Sequence, residues 1–197
     1  MSILEQPDIR RLRTALSGRE AAAFPDEEMR RAAVALIFRA GEDGEPELLF
    51  IKRAEYPGDP WSGHIAFPGG RREAQDSSLA ETAIREAREE TGIDLSKQGE
   101  IIGELDELQP QSIRLPALVV APFVAVLRET PELDLAGEVA SAFWVPLRSL
   151  HEDGLWRDTE VSGKDYQMTR RAFHHEGHVI WGITERIIAQ LLSVLNA

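Results

Sequence analysis

The stretch that decides the fold is a glycine loop followed by a helix rich in glutamate. The loop reads Phe67-Pro68-Gly69-Gly70, and the helix ends in Arg85-Glu86-Ala87-Arg88-Glu89-Glu90-Thr91-Gly92. Ser78 and Glu81 form a capping box at the start of this helix, and Gly92 stands where a glycine commonly terminates one. The pattern predicts a single helix with defined ends, whose capping serine follows the glycine loop by eight residues.

Three carboxylates share one side of that helix. At about 100° per residue, Glu86, Glu89 and Glu90 fall within an arc of roughly 100°, and the apolar stripe lies on an adjacent face. Such an acidic face is commonly only solvated. Clustered carboxylates also repel one another, and hard cations such as Mg2+ or Mn2+ relieve the repulsion by taking oxygen ligands. Paired glycines favour the second interpretation, because they let the backbone approach a metal or phosphate closely.

Hydrophobic patterning predicts further elements on both sides of this unit. Apolar residues at helical spacing predict an N-terminal surface helix over residues 3 to 17. Strands are predicted over 32–39, 47–53, 100–105, 117–127 and 140–145, a turn or short helix over 146–150, a hairpin over 156–179, and a helix over 181–195. With no low-complexity linker, we expect one α+β domain over residues 1–197, with 1–28 as an N-terminal helical segment.

Composition narrows the function. The chain has 197 residues, 22 Lys+Arg, 34 Asp+Glu, a net charge of −12 and no cysteine. This acidity argues against nucleic-acid or membrane-surface partners, although a bound divalent cation can still bring a small phosphate ligand to a carboxylate cluster. The absence of cysteine excludes disulfides and thiolate metal sites. The N-terminus has no basic flank before an apolar run, so we expect a cytoplasmic protein.

The loop and helix together, residues 67–93, resemble the Nudix box. The match runs from Gly70 to the Arg-Glu-Ala-Arg-Glu-Glu-Thr-Gly run that begins at Arg85. Two departures are present: Asp76 stands where the family has its first Glu, and one extra residue separates it from Arg85. Both departures occur together in the coenzyme A pyrophosphatase-like branch, so the resemblance points to that branch.

The resemblance extends beyond the box. Residues 48–54 and 63–70 are similar to the upstream signature of that branch, but its intervening Arg is missing and Gly58-Asp59-Pro60 takes its place. Residues 138–147 and 180–184 look like late family segments. The implied architecture is the Nudix fold, a mixed β-sheet flanked by helices in an α/β/α sandwich.

The resemblance also implies an activity. Nudix enzymes hydrolyse a nucleoside diphosphate linked to another moiety, with Mg2+ or Mn2+ as cofactor. Coenzyme A or a derivative is the first candidate substrate, and the missing Arg favours nucleoside diphosphate sugars, ADP-ribose or nucleoside triphosphates as the alternative. A catalytically degenerate nucleotide-sensing module is the alternative from another class, against which the three intact glutamates argue. The oligomeric state stays open, a homodimer through the N-terminal segment being one option.

The resemblance assigns roles to individual residues. It implies that metal is held by Glu86, Glu89 and Glu90 with the backbone of Gly70, and that Arg85 orients a box carboxylate. The general base is left open between Glu89, in the metal cluster, and Glu138, ahead of a late strand. We also expect Arg53, His64, Gly69 and Arg71 to bind substrate, His64 because it precedes the paired glycines, although a loop histidine is more often only packed or solvated.

Overall fold

The computed structural model describes residues 2–25, 29–57, 61–110, 118–163 and 166–197. The helices are α1 (Pro7–Ser17), α2 (Leu79–Thr91), α3 (Leu95–Gln98) and α4 (Ile183–Leu195), with 3-10 turns at Ile3–Glu5, Leu147–His151 and Asp153–Leu155. The strands are β1 (Arg30–Ala40), β2 (Pro46–Arg53), β3 (Ile65–Ala66), β4 (Gly69–Arg71), β5 (Gly99–Glu104), β6 (Leu118–Leu127), β7 (Val139–Pro146), β8 (Trp156–Gly163), β9 (Tyr166–His175) and β10 (His178–Trp181). Three stretches named in the sequence analysis lie outside the described residues. They are residues 58–60, which replace the Arg of the upstream signature, residues 26–28 of the N-terminal segment, and position 117 of a predicted strand.

A mixed seven-stranded sheet forms the centre of the protein. Its main path runs β3-β2-β1-β6-β5, and β4 also pairs with β1 while β7 pairs with β2. β1 and β6 are parallel, whereas the other pairs in this sheet are antiparallel. β8, β9 and β10 form a second, antiparallel sheet. The mixed sheet that the sequence predicts is therefore confirmed.

Two apolar clusters cover the two faces of the central sheet. Along β1, Leu36 and Phe38 join the cluster that contains the buried residues of α1 and α4, while Ala35 and Ile37 join the cluster that contains those of α2. This alternation follows from the two-residue period of a strand, which sends successive side chains to opposite faces. The result is the predicted sandwich of helices around a sheet.

Alanines form the surface on which α2 packs. Ala83 and Ala87 of the helix are fully buried. The facing side chains in the same cluster include four alanines of β1 and β6, namely Ala33, Ala35, Ala121 and Ala125. Small side chains on both sides let the helix backbone lie close to the sheet. Since β4 pairs with β1 in this region, the glutamate helix and the glycine loop are brought together.

Most predicted elements are confirmed, and the differences are local. The N-terminal helix begins at Pro7 after a 3-10 turn, and the last helix begins at Ile183 rather than at 181. The predicted hairpin is confirmed for β8 and β9, but the chain turns a second time at Glu176-Gly177 and adds β10 as a third strand, which begins before residue 179. The sequence pattern did not predict β3, β4, α3 and β10, each of which is too short to show a period. None of the helices in the described ranges is both long and apolar enough to cross a membrane.

Gly92 offers a test of how α2 is terminated. Its φ is +76°, and a Cβ there would stand 2.9 Å from the Cβ of Asp134. We expect Gly92→Ala to lower the free energy of unfolding by about 2 kcal/mol, since a left-handed backbone and a steric clash are combined. At Gly177 the φ is +83° and no atom lies within 4 Å of the Cβ position, so Gly177→Ala has the backbone cost without the clash. We expect it to lower the free energy of unfolding by about 1 kcal/mol.

The control for this comparison is Gly154→Ala, which has open space and no positive φ. Chemical denaturation of the three variants measures all three effects. Equal stability of the Gly92 and Gly154 variants would contradict the proposed termination.

Candidate active site

Local capping fixes where the glutamates of α2 stand. The hydroxyl of Ser78 accepts a hydrogen bond from the Glu81 N–H (3.1 Å), and the Glu81 carboxylate accepts one from the Ser77 N–H (2.8 Å). At the other end, the Gly92 N–H donates to the Arg88 carbonyl (3.0 Å). The terminal glycine and the Ser78 cap are thus confirmed, whereas the Glu81 half of the predicted capping box is shifted by one residue, to the N–H of Ser77 instead of Ser78.

The three glutamates differ in depth. Glu90 is buried, with 3% of its surface exposed, Glu86 is half-buried, and the Glu89 side chain is 50% exposed. The predicted separation between acidic arc and apolar stripe is wrong for Glu90, because it follows Ala83 and Ala87 on the buried face. A seven-residue step from Ala83 returns to the same side of a helix, which accounts for the overlap.

Glu90 is held by the glycine loop. The Gly69 N–H donates to the Glu90 carboxylate at 2.8 Å. The pKa of Glu90 is nevertheless raised to about 7, chiefly by burial and also by the negative charges of Glu86 and Glu138, which outweigh the opposing effects of Gly69 and Arg53. A carboxylate that is difficult to ionise therefore lies at the centre of the predicted metal cluster.

Glu86 lies directly against Gly70. A Cβ at position 70 would overlap the Glu86 carboxylate, so a side chain there is excluded unless the glutamate moves. Burial is the largest cause of a raised pKa at Glu86, and Glu89 and Glu138 contribute while Arg85 opposes them. Close packing between loop and helix thus explains why a glycine occupies position 70.

Arg85 uses every N–H donor that it has. Its Nε and one Nη2 proton donate to the two oxygens of Asp76, both at 3.0 Å, and Nη2 also donates to the Arg71 carbonyl at 2.9 Å. Its Nη1 donates to Glu86 and Glu89, both at 2.9 Å. A guanidinium carries five such donors, so none remains for another ligand. The geometry agrees with an orienting role.

Asp76 is the residue that the site prediction omitted. Only 5% of its surface is exposed, and besides Arg85 it accepts hydrogen bonds from the Thr82 hydroxyl and the Glu73 N–H, both at 2.9 Å. The Arg85 guanidinium holds the pKa of Asp76 well below its usual range. Its place in the box pattern was the available signal, since the first acid of that pattern stands there.

Glu138 approaches the same cluster from a different part of the chain. It is exposed and immediately precedes β7. The Ala136 N–H donates to the Glu90 carbonyl at 3.1 Å, which fixes this segment to α2. Its charge acts on both Glu86 and Glu90. The structure therefore places Glu138 near enough for its charge to act on Glu86 and Glu90, on a segment that is bonded to the helix carrying them.

The predicted substrate-binding residues lie around this cluster in different settings. Arg53, at the end of β2, carries the positive charge that acts on Glu90. The carbonyl of His64 accepts from the Arg53 N–H at 3.0 Å, and its ring packs on Trp181 with centroids 4.7 Å apart. Arg71 is exposed, and the N–H of Gly69 donates to the Glu90 carboxylate. The roles assigned to these residues stay predictions.

The buried pair of Asp76 and Arg85 generates a stability prediction. We expect Asp76→Asn to lower the free energy of unfolding at pH 7 by about 3 kcal/mol, the lower end of the range for a broken buried pair. The loss lies at that end because Arg85 loses its buried two-oxygen partner but still faces Glu86 and Glu89. Because the pKa of Asp76 is lowered on folding, this stabilisation is present above the unfolded value of about 3.9 and is lost as the pH falls. Urea denaturation at pH 7 and pH 3 should show the difference narrowing.

Glu73→Gln is the matched control for Asp76→Asn. Glu73 also faces Arg85, but at 3.9 Å and with 54% of its side chain exposed. Exposed pairs of this kind contribute about 0–1 kcal/mol. Similar losses in the two variants would show that Arg85 is not organised by Asp76.

Comparisons with known proteins agree with this geometry. The family model described as NUDIX domain matches residues 29–170. The chain is 33% identical over 157 residues to a protein named uncharacterized Nudix hydrolase NudL from Yersinia enterocolitica, covering 77% of this chain and 75% of that protein. It is 29% identical to Nudix hydrolase 15, mitochondrial, from Arabidopsis thaliana, covering 84% of this chain and 58% of that protein. A Schizosaccharomyces pombe protein is 39% identical over 145 residues, which span 44% of its length.

Solved structures share the fold. An Ap4A hydrolase from C. elegans superposes with a TM-score of 0.51 at 25% identity, covering 60% of this chain and 81% of that one. A MutT/nudix family protein from Enterococcus faecalis gives a TM-score of 0.59 at 17% identity, covering 98% of this chain and 72% of that one. With the box residues assembled as described and the family model covering most of the chain, the protein belongs to the Nudix family and is a Nudix hydrolase.

Proposed function

We propose that this protein hydrolyses the pyrophosphate bond of a nucleoside diphosphate linked to another moiety, with a divalent cation held by Glu86, Glu89 and Glu90. The observation that carries the proposal is the buried Glu90, held by the Gly69 N–H beside Glu86 and within the field of Glu138. An uncompensated group of carboxylates is costly in a partly buried place. A cation that shares their charge would relieve that cost.

The donor set fits a hard cation such as Mg2+ or Mn2+. All its side-chain ligands are carboxylate oxygens, which these ions prefer, and the Gly70 backbone lies against Glu86. In the part of the chain that the structure describes, no three acidic or imidazole groups already converge at metal-binding distance. Arg85 and Gly69 bond to oxygens of these glutamates. We therefore propose a site that closes when the cation binds.

The proposed reaction is attack of water on one phosphorus of the diphosphate. The bond between that phosphorus and the bridging oxygen breaks, the bridging oxygen leaves on the other phosphate, and the proton of water passes to a carboxylate. A bound divalent cation neutralises the diphosphate and lowers the pKa of water towards about 7. Glu89, which is exposed, and Glu138 both stay candidates for the base. Arg85 keeps Glu86 and Glu89 in place.

Coenzyme A or a derivative is the first candidate substrate. The two departures around Asp76 support it, whereas the missing upstream Arg supports nucleoside diphosphate sugars, ADP-ribose or nucleoside triphosphates. The exposed side chain of Arg71 and the position of Arg53 near Glu90 support binding of a phosphate-bearing ligand. The alternative, a catalytically degenerate sensor, would bind a nucleotide without hydrolysing it. Turnover therefore distinguishes the hydrolase from the sensor.

We also propose one domain over residues 1–197 in the cytoplasm. Ile9 and Leu12 of α1 lie in the same apolar cluster as Leu191 of α4, which supports including the N-terminal segment in that domain. With this face of α1 covered by its own chain, a homodimer through residues 1–28 stays an open prediction. The Arabidopsis relative is named mitochondrial, so cell fractionation is the direct test of location.

Two isosteric variants test the proposed cation site. We expect Glu89→Gln and Glu90→Gln to abolish Mg2+-dependent turnover while the fold is kept. Because the pKa of Glu90 is raised to about 7, its ionisation opposes folding as the pH rises above about 4.3. Without metal at pH 8, the free energy of unfolding of Glu90→Gln should therefore exceed that of wild type by on the order of 1–3 kcal/mol. At pH 5 this difference should be largely lost.

Thermal unfolding with and without Mg2+ supplies the second measurement. Wild type should be stabilised by the cation, because a ligand that binds only the folded state raises its stability. Glu90→Gln should lose most of that increase. Glu132→Gln, a change of one acid outside the cluster, is the control. Full turnover in both cluster variants would refute the assignment.

A substrate panel tests the specificity. Coenzyme A, ADP-ribose, UDP-glucose, dGTP and Ap4A are each incubated with the protein and Mg2+ or Mn2+, and nucleotide products are measured. We expect 3′,5′-ADP to be released from coenzyme A faster than AMP from ADP-ribose. The reverse order would replace coenzyme A by the alternative class, and no turnover of any compound would favour a sensor.

A further inference from the structure

The segment that carries Glu138 is fixed to the glutamate helix at one end. The Asp134 N–H donates to the Thr91 carbonyl at 3.0 Å, and the Ala136 N–H donates to the Glu90 carbonyl at 3.1 Å. Helix carbonyls at the C-terminal end have no partner within the helix, so these bonds satisfy groups that would otherwise need water. We call residues 134–139 the Glu138 segment. These two hydrogen bonds attach the Glu138 segment to the C-terminal end of α2.

The other end of the Glu138 segment is fixed to β2 and the residues after it. The Ala54 N–H donates to the Glu138 carbonyl at 2.8 Å, and Val139 pairs with Arg53 in the sheet. Between these anchors stands Gly137. No atom lies within 4 Å of the place where a Cβ would be at Gly137, so side-chain packing does not restrain its backbone.

Tyr56 supplies a restraint at that place. Its hydroxyl donates to the Gly137 carbonyl at 3.1 Å, directly before Glu138. Its own N–H donates to the Ser62 hydroxyl at 2.9 Å, which anchors the tyrosine backbone. The Tyr56 side chain thus bridges two loops, one after β2 and one before β7.

Tyr56 is not a core residue, since 51% of its surface is open to solvent. Tyr56 and Leu135 are the exposed large apolar residues among those whose burial the structure describes, and Leu135 lies in the Glu138 segment itself. A half-exposed aromatic ring gains little from burial. Its hydroxyl bond to the backbone beside Glu138 is the contact that distinguishes it.

We propose that Tyr56 is a positioning residue, whose hydroxyl fixes the Gly137 carbonyl and thereby keeps the Glu138 carboxylate beside Glu86 and Glu90. The inference rests on the proposed hydrolase function, in which Glu138 acts on the attacking water or on the cation. Tyr56 touches neither and acts through the backbone. Loss of its hydroxyl lets Glu138 sample orientations in which it faces away from the cluster.

Tyr56→Phe tests the proposal because it removes the hydroxyl and keeps the ring. We expect kcat on the best substrate of the panel to fall about three- to tenfold, the scale of one hydrogen bond, with KM unchanged. In a Glu138→Gln background, the same change should have no further effect, since a residue that acts through Glu138 has nothing left to position. Ser17→Ala, which removes an exposed hydroxyl bonded to the Thr14 carbonyl (3.0 Å), is the control and should leave kcat unchanged.

Amide hydrogen exchange followed by mass spectrometry gives a measurement independent of activity. Peptides that cover the Glu138 segment should exchange faster in Tyr56→Phe than in wild type, while peptides from the middle of α2 keep their rate. Unchanged exchange overturns the tether itself. If the effects of Tyr56→Phe and Glu138→Gln on kcat add in the double variant, Tyr56 does not act through Glu138.

Tyr56→Ala separates positioning from base stacking. If the ring instead stacks a nucleobase, Tyr56→Ala raises KM and Tyr56→Phe changes neither constant, which overturns the proposal. A wild type that hydrolyses nothing in the panel refutes the proposed function and with it the catalytic consequence of the tether. The exchange experiment still decides in that case whether Tyr56 restrains the segment, so the two failures are distinguishable.

Discussion

Repulsion between carboxylates held close together is the constraint on which the site depends. Glu86, Glu89 and Glu90 come from one helix, and Glu138 adds a fourth negative charge. The protein contains this repulsion with a single guanidinium whose five donors are all engaged and with one backbone N–H from the glycine loop. Neither partner neutralises the group completely: burial above all, and then the charges of Glu86 and Glu138, keep the pKa of Glu90 raised to about 7. A cation bound at the proposed site would offset the charge that remains.

The fold supplies the close approach that this arrangement needs. Alanines on both α2 and the sheet bring the helix backbone near β1, and β4 presents its glycines on the same side. A larger residue at position 70 would displace the Glu86 carboxylate. The site therefore depends on small residues that carry no chemistry themselves. A pattern search for catalytic side chains does not select them, although they determine where those side chains lie.

The sequence predicted the parts of the structure that have a period or a cap. The bounds of α2 followed from Ser78 and Gly92, and long strands such as β6 followed from continuous apolar runs. Short elements such as α3 and β10 carry too few residues to show a period. The different burial of the three glutamates was not predicted either. Helical angles give the direction of each side chain around the axis, but not how far the neighbouring loop and sheet cover it. Asp76 lay in the recognised pattern, yet its burial and its four hydrogen bonds depend on where β4 and α2 meet.

The bonds that finish α2 also carry the segment that bears Glu138. Carbonyls of Glu90 and Thr91 accept from the backbone of that segment, and Gly92 lies against Asp134. The end of the helix and the placement of the fourth glutamate are consequently a single structural trait. A substitution that tightens or loosens the helix end cannot be selected for stability alone, because it shifts a carboxylate of the site at the same time. Directed evolution of this protein should therefore find thermal tolerance and turnover changing together at residues 90–92 and 134–138, and independently on the distant β8–β9 hairpin.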